Sequence, residues 1–414
     1  MFTAFSTALS ALSAHSTAVD VVGNNLANLN TAGFKSSTVA FHDLVSQLLG
    51  SGLGETQVGM GVARPTTIRQ FSQGAIQASN GGLDAAIKGD GFLVVKSAGG
   101  KVMYTRGGNL QMDKSGNVLT GTGERVQGWT LTGNTLSTIG PSGDVVVPVG
   151  NLKPPVATKN FSLDLNLDAG ASAGPPAEQF STGIEVVDSL GASHTVTVTM
   201  TKSATANQWA YSLSVPNSDV SAPFTPVTGS VTFDSSGKLI TPALGGTMPV
   251  IPIKGLNNGA ADMSLTWNLY DGSSNRLTQV GMKSALSANS QDGSKPSQLV
   301  KVALGDGGTI VAQYSNGDQA IVGQLAMATV RNPESLIAVG DNNFQLSAQT
   351  SAPALGVPGT GGRGTIIGGA TENSTVDIAR EFTNLIVYQR GYQANAKVIT
   401  AVDELSQDTI NLKR

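Results

Sequence analysis

Residues 2–35 read FTAFSTALSALSAHSTAVDVVGNNLANLNTAGFK. A 4-3-4-3 spacing sets Phe5, Leu9, Leu12, Ser16, Val19, Gly23 and Leu26 on one seam, with Ala8, Val22 and Leu29 beside it. That heptad-like stripe predicts one helix over residues 2–30. Asp20 is the only charged residue before Lys35. A helix facing solvent on one side carries charges there, so this polar but nearly uncharged one calls for contacts on several sides. Ala4, Ala8, Ala11, Ala14 and Ala18 would let another helix approach closely. Asn30-Thr31-Ala32-Gly33 supplies the turn and cap chemistry that ends the run.

The other end of the chain repeats the pattern. Ile378, Phe382, Leu385, Gln389, Tyr392, Ala396 and Ile399 follow the same alternation, which resumes after one shortened step at Val402, Leu405, Thr409 and Leu412. Ser374, three residues before Asp377, forms an approximate capping box ahead of it. Each helix would span roughly 40 to 60 Å. Pattern alone leaves open an ordinary bundle in which the two helices simply pair. In a lone chain the seams would lack a complete set of partners, so roughly the first 70 and last 50 residues are expected to order only on assembly.

Between the ends the texture becomes β-like. Short runs such as Gly91–Val95, Val102–Thr105, Thr195–Met200, Trp209–Leu213 and Thr309–Ala312 are bounded by Gly, Asn and Asp. Pro-rich or Gly-rich joints fall at 147–155, near 280–290 and at 353–369, and no fixed-period repeat is visible. The expected class is therefore α+β, mostly β, with paired terminal helices. At about 150 residues per domain, 414 residues allow two to four domains. Only 13% of residues are charged and the net charge is -3, which leaves no basic field for nucleic acid or an anionic membrane. The absence of cysteine excludes disulfides, thiol catalysis and Cys-ligated zinc.

No catalytic constellation emerges. His15, His42 and His194 show no metal-ligand spacing, and no Ser carries Gly at both -2 and +2. Gly359-Thr360-Gly361-Gly362-Arg363-Gly364 matches G-x-G-x-x-G but follows a Pro-Gly turn, so it reads as a flexible linker. Asp90-Gly91, Asp292-Gly293, Asp306-Gly307 and Asn316-Gly317 read as hairpin turns rather than calcium ligands. The N-terminus has no basic region or apolar core of a signal peptide, and no stretch of 18 apolar residues occurs. Those tests suggest a cytoplasmic protein, whereas the uncharged Gly/Ser/Thr-rich composition suggests an extracellular or assembled one.

Asn24-Asn25-Leu26-Ala27-Asn28 followed by Thr31-Ala32-Gly33-Phe34-Lys35 resembles the N-terminal signature of the bacterial flagellar rod and hook family. Ser374–Glu381 with Tyr388-Gln389-Arg390-Gly391-Tyr392-Gln393-Ala394-Asn395-Ala396-Lys397 resembles the partner signature at the other end. Gly89–Val94 and Tyr104–Gly108 are similar to the family's first β-rich segment, and Leu163–Asp168, Val187–His194 and Trp209 to the outer domain of its hook branch. Ser287–Gly293 and Ala312–Gly317 resemble the return into the inner domain. The resemblance covers nearly the whole chain. It departs at Thr375, where the family usually has Asn, and at Ser294–Ser297, which lacks a Gly before the next strand.

This resemblance implies nested domains: residues 1–70 and 365–414 as a helical inner-tube domain, 71–155 and 285–364 as an inner β-rich domain, and 156–284 as an inserted outer β-domain. It implies a structural hook subunit, polymerising into a flexible curved tube that transmits torque from rod to filament. Assembly contacts would fall on Phe5, Leu9, Leu12, Val19, Asn24, Asn25, Leu26, Asn28, Gly33 and Phe34. At the other end they would fall on Ile378, Phe382, Leu385, Gln389, Arg390, Tyr392, Asn395, Ile399, Val402 and Leu405. Implied partners are copies of the chain itself, the distal rod, the hook cap, the hook–filament junction proteins and the flagellar export apparatus. No cofactor, metal, nucleic acid, small-molecule substrate or enzymatic activity is expected, and export would proceed outside the cell without a cleaved signal peptide. Another rod or hook-associated component is the alternative within the family; a secreted β-rich adhesin or enzyme is the competing class.

Overall fold

The computed structural model describes residues 2–44, 46–49, 56–132, 135–150 and 152–411. The seam position Leu412 lies outside them. Two long helices, α1 (Phe2–Ala27) and α2 (Ile378–Asn411), bracket a chain that is otherwise mostly strand. The described chain forms two compact units, residues 1–149, 300–313 and 319–414 in the first and 150–299 with 314–318 in the second.

In the first unit, α1 ends three residues earlier than its periodicity predicts, and asparagines are the reason. The Asn28 amide is shared between the carbonyls of Asn24 and Asn25, at 3.2 and 3.1 Å, tightening the last turn. Asn28 Nδ2 reaches Asn24 Oδ1 at 2.8 Å, and the Thr31 amide donates to the Asn28 carbonyl. At α2, Asp377 rather than Ser374 is the N-cap, since its Oδ1 accepts the Arg380 amide at 3.1 Å. Ser374 Oγ accepts only the local Val376 amide.

Strand Ile76–Ala78 pairs with Ala370–Glu372, and Ala85–Lys88 with Thr365–Gly368, so the chain returns beside its own start before entering α2. The unit's main sheet runs through Gln319–Leu325, Arg125–Thr132, Phe92–Lys96, Val102–Thr105, Asn343–Gln345 and Ile337–Gly340. Phe92, Val94, Tyr104, Trp129 and Phe344 form its core, with Phe71, Phe92 and Phe344 packed edge to face at 5.3–5.9 Å.

The second unit is a β-sandwich. One sheet is an antiparallel meander of Gln179–Val187, Ser193–Lys202, Gln208–Ser214, Val227–Phe233 and Leu239–Thr241. The other centres on Asn160–Asp168, which pairs in parallel with Met263–Trp267 and Leu277–Val280 and antiparallel with Ala285–Gln291. Period-two alternation drives the packing: Val196, Val198 and Met200 point in from one sheet, Leu163, Leu165 and Leu167 from the other. Trp267 stacks on Phe161 and meets Tyr211 edge-on at 5.7 Å.

Several sequence expectations change. The G-x-G-x-x-G run is a tight loop between Ala354–Gly356 and Thr365–Gly368, closed by the Gly359 amide on the Gly364 carbonyl and by Arg363 Nε on the Val357 carbonyl. It is not a flexible linker. Asn316-Gly317 does close a hairpin, with Gly317 at φ +87°. Asp292 instead fastens the start of strand Asn160–Asp168, its Oδ1 accepting the amides of Lys159 and Asn160. Asp306–Gly308 is a single 3₁₀ turn, and Asp90-Gly91 joins strands of different sheets.

Candidate assembly interface

The helices pack antiparallel through small residues. On α1 the buried stripe is Ala8, Ala11, Ala14, Ala18, Val22 and Asn25. On α2 the half-buried face carries Leu385, Tyr388, Gly391, Asn395, Ile399 and Val402. His15 lies directly on Gly391: a Cβ built there would stand 2.5 Å from the imidazole Cε1. The His15 ring is also 5.5 Å from Phe41 and 6.3 Å from Tyr388, two rings themselves 6.0 Å apart that flank it.

About half of the large apolar seam residues face the other way. Phe5 and Leu9 on α1, and Ile378, Phe382, Tyr392 and Leu405 on α2, are exposed, joined by Ile386, Val387, Val398 and Ile410. Asn24, Gln389 and Arg390 are exposed as well, whereas Leu12, Val19, Leu26, Asn28 and Phe34 are half-buried. The residues expected at assembly contacts are therefore divided between the intrachain face and the outer one. Alanine and glycine permit the close intrachain approach, and that approach rotates the bulkier residues outward.

Below α1 the terminal strings converge. Asn25 is buried with its carboxamide paired to one residue's backbone: Nδ2 donates to the Ser37 carbonyl at 2.8 Å and Oδ1 accepts the Ser37 amide at 3.0 Å. Gly33 adopts φ +72° and donates its amide to the Glu372 carbonyl at 2.7 Å; a side chain there would strike the Arg106 carbonyl at 2.6 Å. Thr375 caps no helix. Its Oγ1 accepts the Ser36 amide at 2.9 Å and its own amide donates to the Phe34 carbonyl, stitching the two ends together.

At the centre is a buried ion cluster. Lys35 Nζ lies 2.6 Å from Glu372 Oε1 and 2.7 Å from the Ser72 carbonyl, and Arg106 reaches Glu372 Oε2 at 3.5 Å. The Gly74 amide also donates to Glu372 Oε1, and Arg106 binds the carbonyls of Gly91 and Gly89. Burial drives the Lys35 pKa down, its contact with Glu372 opposes this, and the net direction is below an ordinary lysine. Sequence reading missed Glu372 altogether, because its partner is 337 residues away. The available signal was scarcity: a charge-poor chain places Lys35 and Glu372 within or beside the strings that mark its ends, and Arg106 within the first β-rich string.

Among the described residues no group of three or more His, Asp or Glu side chains is arranged to hold a metal, and no helix is long and apolar enough to cross a membrane. His42 Nε2 sits 3.1 Å from Thr66 Oγ1 at the surface.

A nested, mostly β chain with antiparallel terminal helices and end-to-end stitching is the architecture of a flagellar axial protein, and sequence comparison agrees along its length. Residues 5–35 match the family described as flagella basal body rod protein, and 367–412 the flagellar basal body rod FlgEFG protein C-terminal family. Residues 86–164 match the flagellar hook protein FlgE/F/G D1 domain, and 166–294 the flagellar basal body protein FlaE D2 domain. The chain is 32% identical to the flagellar hook protein FlgE of Borreliella burgdorferi, covering 98% of both chains. It is 31% identical to that of Escherichia coli K12, over 99% of this chain and all of the relative. The protein belongs to the flagellar hook protein FlgE family. A crystal structure of Helicobacter pylori FlgE2 superposes on 70% of this chain and 99% of that one with a TM-score of 0.51 at 14% identity, which supports the fold.

Proposed function

We propose that the protein is a structural subunit of the flagellar hook, polymerising helically into a flexible tube that carries torque from rod to filament. One observation carries this: α1 buries a stripe of small residues, and both terminal helices leave large apolar side chains exposed on their outer faces. Such a face on an axial-family chain fits neighbouring copies in a heterologous array that does not close on itself. The outward seam residues form the subunit contacts, and the stitched junction sets the helices' angle of entry. Contacts with the distal rod, hook cap, hook–filament junction and export apparatus follow from that place in the flagellum, as does export outside the cell without cleavage. The chain acts by assembly rather than by catalysis.

The test is electron microscopy of concentrated protein, where tubes with helical symmetry are expected. Phe382→Asp and Tyr392→Asp put charges into a face that assembly dries, at a cost of several kcal/mol per site. Both should abolish tubes while the β-rich units melt as in wild type. Tubes of normal stability in both variants would remove these residues from the interface.

In this reading residues 1–70 with 365–414, 71–155 with 285–364, and 156–284 serve as helical, inner and inserted outer domains. Because Ala285–Gln291 pairs along Asn160–Asp168, a 150–299 fragment should melt cooperatively and a 156–284 fragment, lacking that strand, should melt lower. A non-cooperative melt of both fragments would count against an independently folding insertion.

A further inference from the structure

One end of the second unit gathers three segments: the turn 188–192 entering strand Ser193–Lys202, the loop 216–221 and the loop 254–261. His194 lies among them with its side chain 9% exposed. Nε2 is 3.0 Å from Asp188 Oδ2, and Nδ1 is 3.0 Å from Asp219 Oδ2. A neutral imidazole has one N–H, so a ring with a carboxylate oxygen against each nitrogen needs both protons. The Asp188 carboxylate is held in place, Oδ1 accepting the amides of Leu190 and Ala192 and Oδ2 also accepting from Asn258 Nδ2. Asp219 Oδ1 accepts from Ser218 Oγ at 3.0 Å, and its carbonyl accepts the Asn257 amide at 3.0 Å.

We propose that His194 is a proton-dependent clamp, joining the three segments while both ring nitrogens are protonated and releasing loop 216–221 as rising pH removes one proton. The departing proton is the one facing Asp219, whose side chain is 25% exposed and can be rehydrated, whereas that of Asp188 is fully buried. Asp188 and Asp219 are the titratable groups that face the ring; Asn258, from the third segment, does not titrate. Burial of the ring works against protonation, but the bonds to the two carboxylates outweigh it and raise the His194 pKa above its ordinary value. The sign follows: clamp stability is complete below the unfolded pKa of about 6.5 and is lost as pH rises through the raised value.

The test uses the full chain with ¹⁵N-labelled histidine, the signal assigned by its loss in His194→Gln. The titration midpoint of His194 should lie above about 6.5, with both ring nitrogens protonated below it. Amide exchange in loop 216–221, corrected for intrinsic base catalysis, should step up at that midpoint in wild type and show no step in His194→Gln. A midpoint at or below about 6.5, or loop exchange without a step, would overturn the proposal. Should His194→Gln fail to fold, Asp219→Asn must lower the midpoint and abolish the step; an unchanged midpoint would equally sink the clamp.

Discussion

Glu372 is one buried carboxylate facing two buried cations, Lys35 and Arg106. Removing one member of such a group costs more than the group contributes, because the remaining charges stay desolvated: about 3–5 kcal/mol is typical. Glu372→Gln leaves both cations without a counter-ion and should cost about that much. Lys35→Met leaves Glu372 with Arg106 and the Gly74 amide, and should cost less. The double variant should be more stable than Glu372→Gln alone, since one uncompensated cation is gone. Urea unfolding of the three proteins checks the order, and a Glu372→Gln midpoint equal to wild type would show that the cluster is not held as ions. Lys35 and Arg106 stood in strings singled out by resemblance, but their shared partner could not be read locally: chain topology, not periodicity, brings Glu372 beside Lys35.

At the level of the helices, Gly391 sets two effects against each other. Glycine within a helix costs about 1 kcal/mol relative to alanine, so an exposed Gly→Ala change stabilises. Here the added methyl meets a His15 ring that Phe41 and Tyr388 keep from swinging aside, and overpacking of this kind costs about 1–3 kcal/mol. Gly391→Ala should therefore loosen the α1–α2 pair, seen as faster proteolysis within both helices. Combining it with His15→Ala should reverse the sign, leaving a pair more resistant than His15→Ala alone. The heptad period located both helices, and the alanine series on α1 marked where another helix can approach. Close packing selects by size, so Ala8, Ala14 and Ala18 take the inner face while Phe5 and Leu9 stay exposed. The strand Thr195–Met200 was more legible because alternation admits only two faces, and Val196, Val198 and Met200 leave no choice between them.

For the whole molecule, the question is how much order the chain holds before it meets its neighbours. The α1 side of the α1–α2 pair is closed mainly by alanines, which bury little area, and the α2 side is only half-buried, while fixing each backbone residue costs about 1–2 kcal/mol. The seam side chains Phe5, Leu9, Phe382 and Tyr392 remain 42–53% exposed in a lone chain. The helices should thus be marginal in the monomer and gain their stability from burial in the polymer. The Lys35–Glu372 cluster limits how far that loosening can spread, for it fixes residues beyond α1 and before α2 into the first unit's β-structure. Limited proteolysis of the monomer should cut within α1 and within α2 and slow sharply at the stitched segments around Lys35 and Thr375, instead of trimming smoothly to about residue 70. Assembled tubes should resist at all of these positions. In Glu372→Gln monomers the barrier should fall and cleavage should advance past Lys35 into the following segment. Equal resistance of monomer and polymer would mean that the helix pair is self-sufficient, and the uncovered seams would then contribute contacts without contributing order.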